Sequence, residues 1–213
     1  MTPRKEWNAG KGTDKPIKPL EIYQYRQNME LIPLDVSNVS QLKVLNSAIL
    51  PIYYSDKFYR NVVKEPKLSR LARVNGKYVG MVCCRRCEQR DHDKNYRVQT
   101  IREQSDRVES DGPESNDVQN STSLYIMTLG CNVLYRRRGI GSALLQYALN
   151  LATEECFTKV KLHVQSTNSD AVDFYRKFGF RVVKEIEGYY RYLKPSGALL
   201  LEKCLGDGVT AVT

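Results

Sequence analysis

A basic loop that contains glycines is the stretch of this sequence best suited to hold an anion. It reads Arg136-x-x-Gly139-x-Gly141 and lies between a strand-like run that starts at Leu124 and a run with helical periodicity. Unpaired backbone N–H groups point out of the first turn of a helix, and the helix dipole favours negative charge there. The loop therefore favours binding of a phosphate group.

The spacing of the glycines separates this loop from two other phosphate-binding loops. A P-loop requires G-x-x-x-x-G-K-[ST], and a dinucleotide-binding fold requires G-x-G-x-x-G followed by an acidic residue. Residues 136–141 fit neither pattern. A basic helix N-terminus with a flexible entry is an equal alternative for so short a motif, so the other elements of the chain must decide.

A histidine on an alternating strand is the second candidate for chemistry. His163 lies on one side of the run 160–165, and the other side carries only apolar residues: Val160, Leu162 and Val164. A lone histidine on a strand is more often structural, because intermediate burial is normal for this residue type. His163 nevertheless points away from an apolar layer, and its ordinary pKa suits proton transfer near neutral pH.

The cysteines do not predict a metal site. The pair Cys84-x-x-Cys87 with His92 nearby suggests zinc, but a structural zinc site has four ligands and no second pair follows at finger spacing. The chain has six cysteines and its N-terminus does not resemble a secretory signal, so we expect reduced, mostly buried thiols. The prediction is therefore no metal.

Length and charge limit the possible classes. The chain has 213 residues, 41% of them hydrophobic, and a net charge of +9, which suits one ordinary soluble domain with tails. No apolar run approaches the roughly 20 residues of a membrane span, so we expect no membrane association. The charge allows a nucleic-acid partner, but no helix-turn-helix, RNP or zinc-finger pattern supports one. A site for a polyanionic ligand, together with solvated lysines, explains the positive net charge equally well.

The pattern of elements predicts one domain over residues 29–205, after a flexible extension over 1–28 and before a tail over 206–213. A strand near 31–34 is followed by a helix that Ser37 or Asn38 caps and Pro51 ends, and Asp56 caps a second helix. Residues 71–85 form a hairpin around Asn75-Gly76. A polar stretch at about 87–123 is a disordered insertion.

The second half alternates strands with helices. The helix after the basic loop has one apolar face made of Leu144, Leu145, Ala148, Leu151 and Ala152. The strand 160–165 leads to a helix that Asn168 or Ser169 caps and Gly179 ends, with Ala171, Phe174, Tyr175 and Phe178 on one face. Strands near 181–186 and 198–205 follow. This order predicts an α/β (mixed α+β) fold, a mixed sheet with helices on both faces.

Several strings resemble one family. The loop Arg136–Gly141 is similar to the R/Q-x-x-G-x-G/A signature of the GNAT acetyltransferases. Residues 29–205 outside the insertion resemble the N-alpha-acetyltransferase 50 family, which supplies the NatE catalytic subunit. The strings that carry this resemblance are YSDKFY (54–59), VCCR (82–85), LYIMTLGC (124–131), LHVQ (162–165) and DFYRKFGF (173–180).

The resemblance implies a GNAT fold, with a mostly antiparallel mixed sheet, and transfer of acetyl from acetyl-CoA, the co-substrate, to protein N-termini that begin with Met and a hydrophobic residue. Attack is direct, with no acetyl-enzyme. The implied catalytic groups are the side chains of Tyr125 and His163 and the backbone N–H of Leu129. The implied CoA-binding residues are Leu129, Arg136, Arg137, Arg138, Gly139, Ile140, Gly141, Ser142, Asn168 and Tyr175.

Two apolar loops, at 50–56 and 188–193, gain a role from the same resemblance. In the family such loops close over the peptide, and the implied peptide-binding residues are Leu50, Pro51, Ile52, Tyr54, Met127, Tyr189, Tyr190 and Leu193. Leu50 replaces the aromatic residue that is usual there, which widens the predicted methionine pocket. The long N-terminus and the insertion are also atypical.

Partners and location follow only from the resemblance: nascent or mature protein N-termini, a larger NatA-type complex and the ribosome, in the cytoplasm and also the nucleus. Two alternatives stay open. One is a lysine acetyltransferase of the same fold, and the other is a weakly active structural subunit of a larger acetyltransferase complex.

Overall fold

The computed structural model describes residues 28–88, 121–190 and 193–205. The described elements alternate much as the sequence predicts. The helices are α1 Val39–Ile49, α2 Asp56–Val62, α3 Ile140–Glu154 and α4 Ser169–Arg176. The strands are β1 Met29–Pro33, β2 Ser69–Val74, β3 Lys77–Glu88, β4 Ser121–Cys131, β5 Lys159–Gln165, β6 Arg181–Ile186 and β7 Ala198–Cys204. The predicted extension up to residue 27, most of the predicted insertion and the tail from 206 lie outside the described residues.

The seven described strands form one sheet in the order β1-β2-β3-β4-β5-β7-β6. β1 with β2, β2 with β3, β5 with β7 and β6 with β7 are antiparallel. β4 and β5 are parallel, and their register aligns Ser123 with Lys159 and Tyr125 with Lys161. The prediction of a mixed, mostly antiparallel sheet is confirmed.

The chain divides into two compact units. Of the described residues, 28–83 with 127–148 make the first unit, and 84–88, 121–126, 149–190 and 193–205 make the second. Strands β3 and β4 each contribute to both units. The two units are described in turn.

The core of the first unit forms where α1 and α2 pack on the hairpin. Its buried side chains are Leu34, Leu42, Leu45, Tyr59, Val62, Leu71, Met81 and Cys83. Asn38 occupies the N-cap position of α1, and α1 ends at Ile49 because Leu50, which precedes Pro51, is extended. The predicted cap of α2 was wrong. Ser55, not Asp56, accepts from the N–H of Phe58.

The reason lies in the backbone at the start of α2. Ser55 is extended, which is the conformation of an N-cap residue. Asp56 is already the first helical residue, and its carboxylate instead lies 3.0 Å from Nζ of Lys43.

In the second unit the strict alternation of β5 is confirmed, since Val160, Leu162 and Val164 are buried and the residues between them are half-buried. The predicted face of the following helix was partly wrong. α4 ends at Arg176, so Phe178 lies beyond it, and its buried residues are Val172 and Tyr175. Gly179 follows with φ of +84°, a conformation that glycine adopts at no steric cost.

The limits of the predicted insertion were also too wide. β3 continues to Glu88 and β4 begins at Ser121, so polar residues assigned to the insertion belong to the sheet. The hydroxyl of Ser123 donates to the carbonyl of Cys87 at 3.4 Å, and both residues are buried. The polar composition hid this pairing, because a small hydroxyl that bonds a backbone carbonyl is tolerated inside a sheet.

Within the described ranges no helix is long and apolar enough to span a bilayer. The same part of the chain has no group of three or more His, Cys, Asp and Glu that could hold a metal ion.

Candidate active site

The register of two strands in the second unit brings Tyr125 and His163 together. β4 places Tyr125 beside Lys161 of β5, and His163 follows two residues later on the same side of that strand. The hydroxyl oxygen of Tyr125 lies 2.8 Å from Nδ1 of His163. Two residues that are far apart in the sequence and were predicted to form one catalytic pair are therefore in hydrogen-bond contact.

Two further tyrosines of the second unit extend this pair. The ring of Tyr189 stacks on the imidazole of His163, with 4.4 Å between ring centroids and 15° between planes. The hydroxyl oxygens of Tyr189 and Tyr125 are 3.5 Å apart. Tyr190 packs edge-on against Tyr189 at 4.8 Å and is only 5% exposed.

Burial controls the protonation of these phenols. It raises the pKa of Tyr125 well above the ordinary range, and the neighbouring Tyr189 acts in the same direction. The guanidinium of Arg85, 5.2 Å from the centroid of the Tyr125 ring, acts to lower this pKa but is outweighed. Burial also raises the pKa of Tyr189 and of Tyr190. At neutral pH Tyr125 therefore keeps its proton.

The basic loop lies in the first unit and leads into α3. A short 3-10 turn, Val133–Tyr135, opens the loop, and the side chain of Asn132 accepts from the N–H of Leu134 at 3.0 Å. Arg137 and Gly139 then take positive φ values of 61° and 84°. The carbonyl of Gly139 accepts from the N–H of Ala143 at 2.9 Å, which starts the helix.

The start of α3 suits an anion. The N–H groups of Ile140, Gly141 and Ser142 belong to the first turn, where no earlier carbonyl of the helix is available to them. Arg136 and Arg137 are exposed beside them. Gly139 has no Cβ and therefore adopts its positive φ at this turn at no steric cost. These features suit an anion such as a pyrophosphate, and the pyrophosphate contact stays a prediction.

Two of the predicted CoA-binding residues lie in the second unit. Asn168 is the N-cap of α4, because its side-chain oxygen accepts from the N–H of Ala171 at 3.1 Å. Its amide nitrogen is the group suited to a ligand. Tyr175 is buried and its ring contacts Phe174 and Phe180, so its part in the core of the unit is established by the structure.

The predicted peptide-binding residues fall into two groups. In the first unit Leu50, Tyr54 and Met127 pack against the core, and the Tyr54 hydroxyl donates to the Met127 carbonyl at 3.4 Å. Ile52 is half-buried and Pro51 is exposed. Leu129, which was predicted as an oxyanion donor and a CoA contact and not as a peptide-binding residue, is half-buried in the same unit. In the second unit Tyr189 and Tyr190 are in contact, and Leu193 is half-buried.

Sequence reasoning missed two features of this site. It did not place Arg85 over Tyr125, and it assigned Tyr189 to the peptide without its contact with His163. The string VCCR contains Arg85, but the contact depends on how β3 lies beside β4, and no local pattern gives that. The aromatic composition of the loop at 188–193 indicated that Tyr189 belongs to the site, but it did not indicate the contact of Tyr189 with His163.

The sequence profile of the Acetyltransferase (GNAT) family matches residues 40–180. The chain is 38% identical over 178 residues to N-alpha-acetyltransferase 50 of Danio rerio, which covers 83% of this chain and 89% of that protein. It is 36% identical over 181 residues to the probable N-acetyltransferase san of Drosophila melanogaster, which covers 84% of this chain and 83% of that protein.

A solved structure is similar along most of the chain. Naa50 of Arabidopsis thaliana, in complex with the bisubstrate analogue CoA-Ac-MVNAL, superposes with a TM-score of 0.66 at 29% identity and covers 84% of this chain and 99% of that one. The fold, the pair Tyr125 and His163 and the similar proteins all indicate the same family. The chain belongs to the GNAT acetyltransferase family and, within it, to the N-alpha-acetyltransferase 50 group.

Proposed function

We propose that this protein transfers the acetyl group of acetyl-CoA to the α-amino group of protein chains that begin with Met followed by a hydrophobic residue. The observation that carries the proposal is the 2.8 Å contact between Tyr125 and His163, at the two strand positions that the family resemblance assigns to catalysis. The relatives support the reaction. The Arabidopsis neighbour was solved with an analogue in which CoA and acetyl precede a peptide that starts Met-Val.

The paired residues supply a route for the proton. An α-amino group has a pKa of about 7.7–8.0, against about 10.4 for lysine, so a modest base acting through one water is sufficient near neutral pH. Tyr125 holds its own proton because burial raises its pKa. We assign its hydroxyl as the donor to Nδ1 of His163. The oxygen of Tyr125 then takes the amine proton while its own proton passes to the imidazole.

The first unit carries most of the groups that are proposed to bind acetyl-CoA. The amine attacks the carbonyl carbon of the acetyl-CoA thioester, the new C–N bond replaces the C–S bond, and CoA leaves and takes up a proton as its thiol. The turn N–H groups of Ile140, Gly141 and Ser142, with Arg136, Arg137 and Arg138 beside them, would hold its pyrophosphate. The backbone N–H of Leu129 is the proposed donor to the developing oxyanion. Asn168 and Tyr175 are the proposed further contacts.

In this proposal the amine attacks acetyl-CoA directly, with no acetyl-enzyme. The protonation state of the Cys131 thiol, which precedes the basic loop, supports this route. Cys131 ends β4, and burial raises the pKa of its thiol to about 11, although the arginines of the loop act in the opposite direction. A thiol is nucleophilic as the thiolate, and at neutral pH Cys131 is protonated. An acetyl group trapped on Cys131 would contradict direct attack.

The preference for methionine rests on the apolar side chains around Tyr54. Leu50, Tyr54 and Met127 are partly buried and pack against the core of the first unit, and we propose that they, with Pro51 and Ile52, contact the methionine side chain. In the second unit Tyr189, Tyr190 and Leu193 are likewise proposed as peptide contacts. The phenols can also bond the peptide backbone.

A panel of peptides tests the proposal. We expect the purified protein and acetyl-CoA to acetylate a Met-Leu peptide, and to turn over Met-Asp and Ser-Ala peptides much more slowly. A Met-Leu peptide with a blocked N-terminus and an internal lysine should release little CoA. Rapid acetylation of the blocked peptide would instead identify a lysine acetyltransferase. Absence of turnover on every peptide would indicate a structural subunit.

Association with a larger NatA-type acetyltransferase complex and with ribosomes is also part of the proposal, as is a location in the cytoplasm and the nucleus. These rest on membership of the N-alpha-acetyltransferase 50 group. Affinity purification of the full chain from its native cells, followed by ribosome sedimentation, tests the partners. Imaging of a tagged chain tests the location.

A further inference from the structure

The ring of Tyr189 makes a contact that binding a peptide does not require. It lies nearly parallel to the imidazole of His163, with 4.4 Å between the ring centroids and 15° between the planes. The hydroxyl groups of Tyr189 and Tyr125 are 3.5 Å apart, which is long for an O–H···O hydrogen bond. The main contact of Tyr189 is therefore the stack of its ring on the face of the His163 imidazole, and not a hydrogen bond to Tyr125.

The imidazole needs such a contact to be held in one orientation. The terminal torsion of a histidine side chain is broad and roughly two-fold, so the backbone of β5 fixes where the ring begins but not its plane. The hydrogen bond between the Tyr125 hydroxyl and Nδ1 is a contact at one ring atom and does not stop the ring from tilting. A half-turn about the same torsion would exchange Nδ1 for a carbon atom. A parallel ring in contact opposes both movements.

Tyr189 is itself held in place by its neighbour in the chain. The ring of Tyr190 packs edge-on against Tyr189, with 4.8 Å between centroids, and Tyr190 is only 5% exposed. The N–H of Tyr190 donates to the carbonyl of Ser196 at 2.8 Å. The backbone next to Tyr189 is thus held in place by a hydrogen bond. The ring of Tyr189 is therefore held in the position where it stacks on the imidazole of His163.

We propose that Tyr189 is a positioning residue for proton transfer: its ring, stacked on His163, holds the imidazole with Nδ1 directed at the Tyr125 hydroxyl. The kinetic consequence rests on the proposed acetyl transfer, whereas the orientation of the ring is a property of the protein without substrate. The ring of Tyr189 does this work, and its hydroxyl is not required for it.

Proton NMR tests the stack without any substrate. The chain contains two histidines, so a His92→Gln background leaves one imidazole to observe. We expect the ring C–H signals of His163 to lie upfield because of the tyrosine ring above them. Tyr189→Leu should move them downfield, and Tyr189→Phe should leave them near their original position. Phe178→Leu, which removes another half-buried aromatic ring of the same unit, should not move them.

Kinetics on a Met-Leu peptide test the consequence. Loss of the ring in Tyr189→Leu should lower kcat about ten- to a hundredfold, the size expected for a misplaced catalytic group, and Tyr189→Phe should recover most of it. Tyr189→Met is a second ringless variant in case the leucine variant folds poorly. Thermal unfolding of each variant monitors folding.

Three results would separate the possibilities. If the His163 signals are the same with Tyr or Leu at position 189, the stack is absent and the inference is overturned. If Phe and Leu raise KM equally and leave kcat unchanged, Tyr189 acts through its hydroxyl on the peptide instead. If the unsubstituted protein acetylates no peptide, the proposed function fails, while the NMR signals still decide whether Tyr189 holds the imidazole.

Discussion

At the scale of single residues, Tyr125 and His163 act as one unit in the proposed proton path. Burial raises the pKa of Tyr125, so the protonated phenol cannot accept the amine proton unless it passes its own proton to His163. In the proposed path His163 receives a proton only from Tyr125, so it depends on Tyr125 in turn. The 2.8 Å contact therefore means that either side chain fails without the other. Residues that act as a unit show strongly non-additive losses on mutation.

We expect Tyr125→Phe and His163→Asn each to lower kcat on a Met-Leu peptide about a hundredfold or more, the range for general acid–base catalysis. The double variant should lose little beyond either single one. The measurement is the initial rate of CoA release at saturating substrates. A double variant whose loss equals the product of the single losses would show that the two residues act independently.

At the scale of elements, the start of α3 is set by a close approach to the hairpin in the first unit. A Cβ added to Gly80 of β3 would meet the carbonyl oxygen of Gly130 at 3.0 Å, and Cγ2 of Ile140 and Cδ1 of Leu144 at 3.1 Å each. The backbone oxygen cannot rotate away. Ile140 is the first residue of α3, so any adjustment moves the turn that is proposed to bind pyrophosphate.

Gly80→Ala should therefore lower the free energy of unfolding by about 1–3 kcal/mol, the usual cost of overpacking, and should also raise KM for acetyl-CoA. Gly76→Ala is the matched control. Gly76 lies in the hairpin turn with φ of +76° and has nothing within 4 Å of an added Cβ. Its substitution should strain only the turn, lowering stability and leaving KM unchanged. An equal rise in KM in both variants would contradict the role given to Gly80.

The sequence predicts the elements well and the contacts between them poorly. The alternation of β5 and the apolar face of α3 are local patterns, and the structure reproduces both. The Ser55 cap and the end of α4 at Arg176 were missed because neighbouring residues compete for the same role at a helix end. The stack of Tyr189 on His163 joins a loop to a strand, so only the folded chain shows it.

At the scale of the whole molecule, both units bury groups that lose a proton in alkali. Burial raises the pKa of the Cys83 thiol in the first unit from 9.0 to about 11. In the second unit burial raises the pKa of Tyr125, Tyr175 and Tyr190 above the ordinary 10.0. Each raised pKa means that the folded chain binds a proton more tightly than the unfolded chain does.

The contribution of these groups to the free energy of unfolding should therefore be constant up to about pH 8 and fall as the pH rises above about 9, more steeply once the tyrosines ionise in the unfolded chain. For Cys83 alone, ionising at 9.0 unfolded and at about 11 folded, the loss at pH 10 is about 1.4 kcal/mol. Urea unfolding at a series of pH values measures this dependence. Cys83→Val should make the total fall in the free energy of unfolding between about pH 8 and pH 10 smaller by that amount, whereas Cys156→Ser, which removes an exposed thiol, should not. A stability that is unchanged up to pH 10 would show that Cys83 is not sealed from solvent as the core of the first unit requires.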